Sequence, residues 1–395
     1  MPMRICHVTP HLPPDQAANA LLPFHLGQWA VSSGDEVAYV AHPPRQDASR
    51  RTTRPDMPGP VAWIPRHRAS WAFSRRLKLD TVRGFTTIAK VAGPLIDSSD
   101  LVHLHSNGFL VEVCAWLAAR KRKPTVLTMY GTEIWHYQPR RLLDLFTRAY
   151  RGAAQVTFYS QGLMTHAANV GLRRRDATVI YPPVADEFLS DPASIDQARE
   201  GLGLHNRHVI VNVKRLHPLA GQRYLLQAMG EVVRWFPDTR LVICGTGPLL
   251  GELQSAARSA GVEGHVTFAG LVDNVTVARY DMAADVFVLP SLLEACPTVA
   301  LEALACGTPV VSSDNPGGVE LNDLFGIDVR IVPRENDIAL ASAIIDVLEI
   351  KRRVRSETRR ALRRDFSPAA VAAQYAAVYQ KAVGGDVSRD QVVST

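Results

Sequence analysis

Two carboxylates, Glu294 and Glu302, lie eight residues apart in the otherwise apolar run SLLEACPTVALEALACGTPVV, Ser291 to Val311. Pro297 suits a first helical position and Gly307 with Pro309 a helix end, which predicts a helix over 297–306. Glu294 then falls in the loop before it, and Glu302 about five residues along, roughly 7.5 Å up the axis. Free amides and the dipole at a helix start favour an anion. A phosphate there would be stabilised, with Ala295, Cys296 and Thr298 as its candidate contacts. A carboxylate repels a phosphate, so both Glu side chains would accept hydrogen bonds from neutral hydroxyls on either side of it. Hydroxyls, then phosphates, then hydroxyls describe a sugar nucleotide. On spacing alone, a loop acid and a solvated helix position are the commoner reading, since two Glu eight apart occur often.

Other chemistries find less support. GTGPLLG is not a dinucleotide fingerprint, because Leu250 occupies the last glycine position. No D-x-D occurs and no His/Cys cluster has zinc spacing, so no metal and no resident cofactor are expected. RHRASWAFSRRLK, residues 66–78, reads first as a solvated loop and helix start, and second as a peripheral contact with an anionic membrane or an acidic acceptor.

The elements that must position these residues alternate. RICHVTP, EVAYVA, LVHLH, TVLTMY, QVTFYS and ATVIYPP read as strands with helical patterns between them, a βαβα rhythm that implies a parallel sheet covered on both faces. YPPVADEFLSDPAS, 181–194, reads as a linker. The rhythm then restarts with HVIVNVKR, TRLVICG, HVTFAG, DVFVLPS and TPVVSSD. The expected architecture is α/β: two Rossmann-like doubly wound domains, 1–185 and 186–366, facing across a cleft. A helix over 367–383 is expected to pack back on the first domain, with a flexible tail over 384–395.

The chain has 395 residues, 47% hydrophobic and 21% charged, a formal charge of +6 and a pI near 9.1. That balance is ordinary for a globular protein and favours an anionic partner over a cationic one. The five cysteines form no C-x-x-C pair, and most sit in apolar runs, where a reduced thiol is expected. The start, MPMRICHVTP, runs straight into a strand-like segment, and no apolar stretch reaches membrane-spanning length. A cytoplasmic protein is expected, in contact at most with a membrane face. Nothing in the composition points to nucleic acid, and oligomeric state is not readable.

VFVLPSLLEACPTVALEALACGTPVVSSDNPGG resembles the signature of the family-four retaining glycosyltransferases of the GT-B fold, whose hallmark is Glu-x7-Glu followed by a LEALACGTPVV-like stretch. NVKRLHPLAGQRYLLQA, LVICGTGPLLGELQ, DLVHLHSNGF and VLTMYGTEI resemble further family segments. The resemblance spans residue 1 to about 383. It implies transfer of a sugar from a nucleotide donor, commonly UDP-linked, to an acceptor hydroxyl or amine. By position, Glu294 would contact the donor sugar hydroxyls, Glu302 the ribose and Arg215 the diphosphate. Gly245 and Gly247 would shape the loop near the base, and His105 would sit by the reacting sugar carbon.

The chain departs from the family pattern at several points. Ala17 and Ala18 stand where a Gly-Gly pair is usual, Ala220 where a second diphosphate cation is usual, and Tyr130 where a His is common. Lys214 and Arg223 are the nearest replacement cations. These departures also fit a degenerate transferase kept as a partner-binding subunit. A GT-B sugar-nucleotide epimerase is a third reading, against which the Glu-x7-Glu block argues.

Overall fold

The computed structural model describes residues 2–15, 17–44, 55–66, 79–138, 144–189, 195–205 and 207–384. Residues 67–78 of the basic stretch, 190–194 of the linker and the tail from 385 lie outside them. The chain divides into two compact units. One is Met1–Ile180 with the segment from Ala372, the other Tyr181–Val371.

The first unit holds a seven-stranded sheet: β1 (Arg4–Thr9), β2 (Glu36–Ala41), β3 (Val61–Trp63), β4 (Leu101–His105), β5 (Thr125–Met129), β6 (Gln155–Phe158) and β7 (Thr178–Val179). Their spatial order is β3-β2-β1-β4-β5-β6-β7, and each pair is parallel. The second unit holds β8 (Val209–Val213), β9 (Arg240–Cys244), β10 (Val266–Gly270), β11 (Val286–Leu289), β12 (Val310–Ser313) and β13 (Val329–Val332), in the order β10-β9-β8-β11-β12-β13 and again parallel. Parallel neighbours need crossovers, and among the described residues helices fill those of both units other than the one from β2 to β3.

Strand chemistry explains the layering. In β8, Val209 and Val211 enter one core while Ile210 enters the other. In β9, Val242 and Cys244 part likewise from Leu241 and Ile243, and in β11, Phe287 and Leu289 from Val286 and Val288. The period of two thus feeds two apolar layers, so both faces of the sheet must be covered by helices.

The expected helix over 297–306 runs from Thr298 to Ala305. Pro297 is its N-cap, with φ −80° and ψ 93°, rather than its first turn. Ala300, Leu301, Ala303 and Leu304 are fully buried in the second unit's core. Ala17 is the N-cap of the Ala18–Ser32 helix at φ −83° and ψ 148°, extended backbone open to any residue. The alanines therefore meet no left-handed requirement at the place where glycines were expected.

Candidate functional site

In each sheet the strand order reverses once, between β1 and β4 and between β8 and β11. The crevice at the carboxyl ends of such strands is where parallel sheets bind ligands. The sequence candidates gather at these two places.

In the second unit β8 ends at Val213, and Lys214 and Arg215 follow it directly. Their main chain remains fixed beyond the strand: Lys214 N–H donates to Cys244 O at 3.0 Å and Leu216 N–H to Thr246 O at 3.0 Å. Gly245 and Gly247 make this possible. A Cβ on Gly245 would lie 2.1 Å from Lys214 O, one on Gly247 2.1 Å from Leu216 O, and Gly245 has φ +142°. Sequence reasoning set these glycines near a base; their visible structural task is backbone approach to the segment that carries the cations.

Arg215 is exposed, and its guanidinium has no hydrogen-bond or ion-pair partner among the described residues. Lys214 Nζ lies 2.5 Å from Glu294 Oε1, with the side chains 28% and 12% exposed. Lys214, one of the two nearest replacement cations, thus lies past the end of β8, where strand alternation no longer forces it away from the face of Arg215. Arg223, the other candidate cation, stacks on the neighbouring Tyr224 ring at 4.9 Å. Ala220 is 3% exposed in a turn at Pro218–Ala220.

The loop holding Glu294 is anchored along its length. Leu292 N–H donates to Leu219 O at 2.8 Å, and Gly317 N–H to Glu294 O at 3.0 Å. Ser291 O accepts from Asn315 Nδ2 at 3.0 Å and from Ser313 Oγ. Ala295, Cys296 and Thr298 complete the approach to the helix, all half-buried. Burial, then Glu320 and Glu294, raises the Cys296 thiol well above its ordinary pKa, so it is protonated.

Glu302 is half-buried and has no hydrogen-bond or ion-pair partner among the described residues. Burial, then Glu187, pushes its carboxyl up to about 7. Asp281, fully buried with neither carboxyl oxygen bonded, is held well above the carboxylate range by burial and then by Glu302. With its carboxyl at about 7, Glu302 is poised to lose its proton near neutrality.

The first unit places something different at its reversal. His105, at the end of β4, is fully buried. Its Nδ1 meets the Tyr130 hydroxyl at 2.7 Å and its Nε2 meets His7 Nδ1 at 3.0 Å. His103 meets the Tyr379 hydroxyl at 2.8 Å and Thr128 Oγ1 at 2.7 Å. Burial lowers all three imidazoles, His7 to about 3, and mutual repulsion lowers His103 and His105 further. All are neutral in the folded protein. The three ligating sets lie within 4.8 Å of one another. Both His103 nitrogens are already bonded to hydroxyls, however, which leaves that ring no free lone pair for a metal.

Sequence spacing missed this cluster, although a signal existed. His103 and His105 share a strand face, and β1 pairs with β4 so that His7 stands opposite His103. Only the neighbourhood of β1 and β4 had to be guessed. Lys214 and Glu294 offered a similar clue, since β8 and β11 are neighbours and both residues lie just past the strand ends.

Two tandem Rossmann-like domains, each ending its strands in polar side chains at the reversal, define the GT-B class of protein. Two family models divide the chain between them: Glycosyltransferase Family 4 matches residues 24–188 and Glycosyl transferases group 1 matches residues 194–365. The chain belongs to the family-four glycosyltransferases of the GT-B fold. It is similar to the GDP-mannose-dependent alpha-(1-6)-phosphatidylinositol monomannoside mannosyltransferase of Mycolicibacterium smegmatis, with 37% identity over 175 residues, 42% of this chain and 46% of that protein. The chain spans about half the length of the curated relatives it matches. Its fold resembles that of sucrose-phosphate synthase from Thermosynechococcus elongatus, with a TM-score of 0.75 and 18% identity over 97% of this chain and 100% of that one. Anabaena HepE in complex with UDP is similar at a TM-score of 0.75 and 20% identity, covering 96% of this chain and 100% of that one. At such identities the likeness concerns the fold. Among the described residues, no helix is long and apolar enough to cross a membrane.

Proposed function

We propose that the protein is a retaining, metal-independent glycosyltransferase. It would move a sugar from a nucleoside-diphosphate donor, UDP-linked, to an acceptor hydroxyl or amine of a small molecule or glycan. The observation that carries this reading is the unpaired, exposed Arg215 just past β8, next in the chain to Lys214, whose ammonium lies 2.5 Å from the anchored Glu294. A guanidinium there suits bidentate contact with a diphosphate. Glu294 and Glu302 accept from donor sugar and ribose hydroxyls. The Ala295, Cys296 and Thr298 backbone lies by the phosphates, and Gly245 and Gly247 lie near the base.

In the reaction the bond between the sugar carbon and the diphosphate oxygen breaks, and the acceptor oxygen or nitrogen bonds to that carbon on the same face. The departing diphosphate takes the acceptor proton. The protein positions the reactants and stabilises the leaving charge, mainly through Arg215. His105 reaches no solvent, so it acts as a positioning residue through the half-buried Tyr130.

A thermal-shift series with UDP- and GDP-linked sugars tests the donor, followed by product NMR in EDTA. Stabilisation by a UDP-sugar, turnover without added metal and an unchanged anomeric configuration are expected. An inverted product, or strict dependence on Mg²⁺ or Mn²⁺, sinks the mechanism. The Mycolicibacterium relative supports a second donor reading, GDP-mannose; larger shifts with GDP-sugars would select it.

A further inference from the structure

We infer that Lys214 is a latched cation of the donor site: its ammonium is held on Glu294 in the empty protein and passes to the donor's phosphates on binding. This rests on the donor-site reading above. Lys214 Nζ and Glu294 Oε1 are 2.5 Å apart, and each side chain keeps some contact with solvent, 28% and 12%. The two backbones cannot carry a rearrangement. Lys214 is bonded through its N–H to Cys244 O and covered at its carbonyl by Gly245, and Glu294 O is held by Gly317 N–H. Only the side chains are free to change partners, and a lysine stem is long and flexible enough to do so.

The charges dictate what can open the latch. A neutral sugar that took over Glu294 would leave an ammonium partly desolvated and unpaired, which is unfavourable. A ligand carrying hydroxyls and a diphosphate supplies both replacements, hydroxyls for Glu294 and phosphate oxygens for Lys214. The pair therefore discriminates for donors whose sugar and phosphates arrive together. It also means that a nucleoside diphosphate without its sugar must draw Lys214 away from Glu294 and leave that carboxylate uncompensated.

A distinctive expectation follows for calorimetric titration of the full chain with UDP, GDP and the corresponding monophosphates. Glu294→Gln removes the competing charge, so it should tighten the nucleoside diphosphate several-fold while weakening the nucleotide sugar. Lys214→Met should weaken the diphosphate by about 10- to 150-fold, the size of one charge-assisted contact. It should also flatten the salt dependence of binding and affect the monophosphate less. Lys214→Arg should retain most of the affinity. Unfolding curves establish that each variant is folded. Wild type that binds a diphosphate, with Glu294→Gln binding it no tighter or Lys214→Met weakening mono- and diphosphate alike, overturns the latch alone. Wild type that binds no nucleotide or nucleotide sugar at millimolar concentration overturns the donor-site reading and the latch with it.

Discussion

The two sheets reverse their strand order at equivalent places and furnish them with opposite chemistry. Between β1 and β4 the first unit buries three neutral imidazoles, bonded to one another and to Tyr130, Tyr379 and Thr128. Between β8 and β11 the second unit keeps Arg215 exposed and leaves Lys214 and Glu294 partly solvated. The same scaffold thus makes a rigid polar core in one unit and a charged lip in the other. The difference lies in burial: imidazole can lose its charge and still hydrogen-bond, whereas guanidinium cannot, so it stays where water or an anion can reach it.

The largest test of this contrast removes the lip's free cation. Arg215→Ala should lower kcat/KM by about two orders of magnitude, the upper range for a lost charge-assisted contact, and leave the unfolding curve nearly unchanged. A fall in stability with intact turnover would reverse the assignment of function to the second unit.

Acidity should push the two units in opposite directions. The imidazoles are lowered in the folded state, so their contribution is complete above about pH 6.5 and is lost as pH falls toward about 3. Each loses up to about 1.4 kcal/mol per pH unit. Glu302 and Asp281 are raised, so the unfolded chain releases their protons first and the second unit loses stability as pH rises from about 4.5 to about 7. Going from pH 7.5 to 5.5 should therefore lower hydrogen-exchange protection in β4 and raise it in β11, once the intrinsic pH dependence of amide exchange is divided out. Parallel changes in both strands would show that the electrostatics do not differ as described.

Glu302 sharpens the comparison within the second unit. Glu302→Ala should weaken nucleotide and nucleotide sugar together by about 10- to 150-fold. Glu294→Ala should harm nucleotide-sugar use without weakening nucleotide binding. With the Glu302 carboxyl near 7, wild-type nucleotide affinity should rise between pH 6 and 8, because the ionised acid is the better acceptor. Titration calorimetry across that range reads both effects, and a flat pH profile would remove Glu302 from the ribose.

The smallest effect concerns the first unit alone. Tyr379→Phe deletes the hydroxyl on His103 and should cost about 1–2 kcal/mol of stability, with donor affinity unchanged. A change in donor affinity instead would join the buried network to binding.

Much of this was legible in the residues. β2 and β4 run over the expected spans, and β1, β5 and β8 end within one or two residues of them, because apolar runs between turn signals specify buried strands. Val61–Trp63 escaped because three residues carry no period. Val329–Val332 did so because Arg330 is exposed and breaks the apolar run. The Thr298–Ala305 helix was visible, but Pro297 sits one step outside it, since only its ψ distinguishes a cap from a first turn. The Lys214–Glu294 pair and the histidine cluster were out of reach for another reason. Each joins residues about 80 to 100 positions apart, and their meeting depends on strand order, which periodicity does not encode.

Tyr379 has a consequence for how the protein is made. It belongs, with the fully buried Tyr375, to the first unit, yet both are translated after all of Tyr181–Val371. At about 5–20 residues per second, the ribosome spends roughly 10–40 s on that intervening stretch. Throughout it, the histidines of the earlier sheet wait without their tyrosine partner. The later-born unit can complete its core first, and the earlier-born one closes only as synthesis ends, which reverses the usual order of birth and maturity along a two-domain chain.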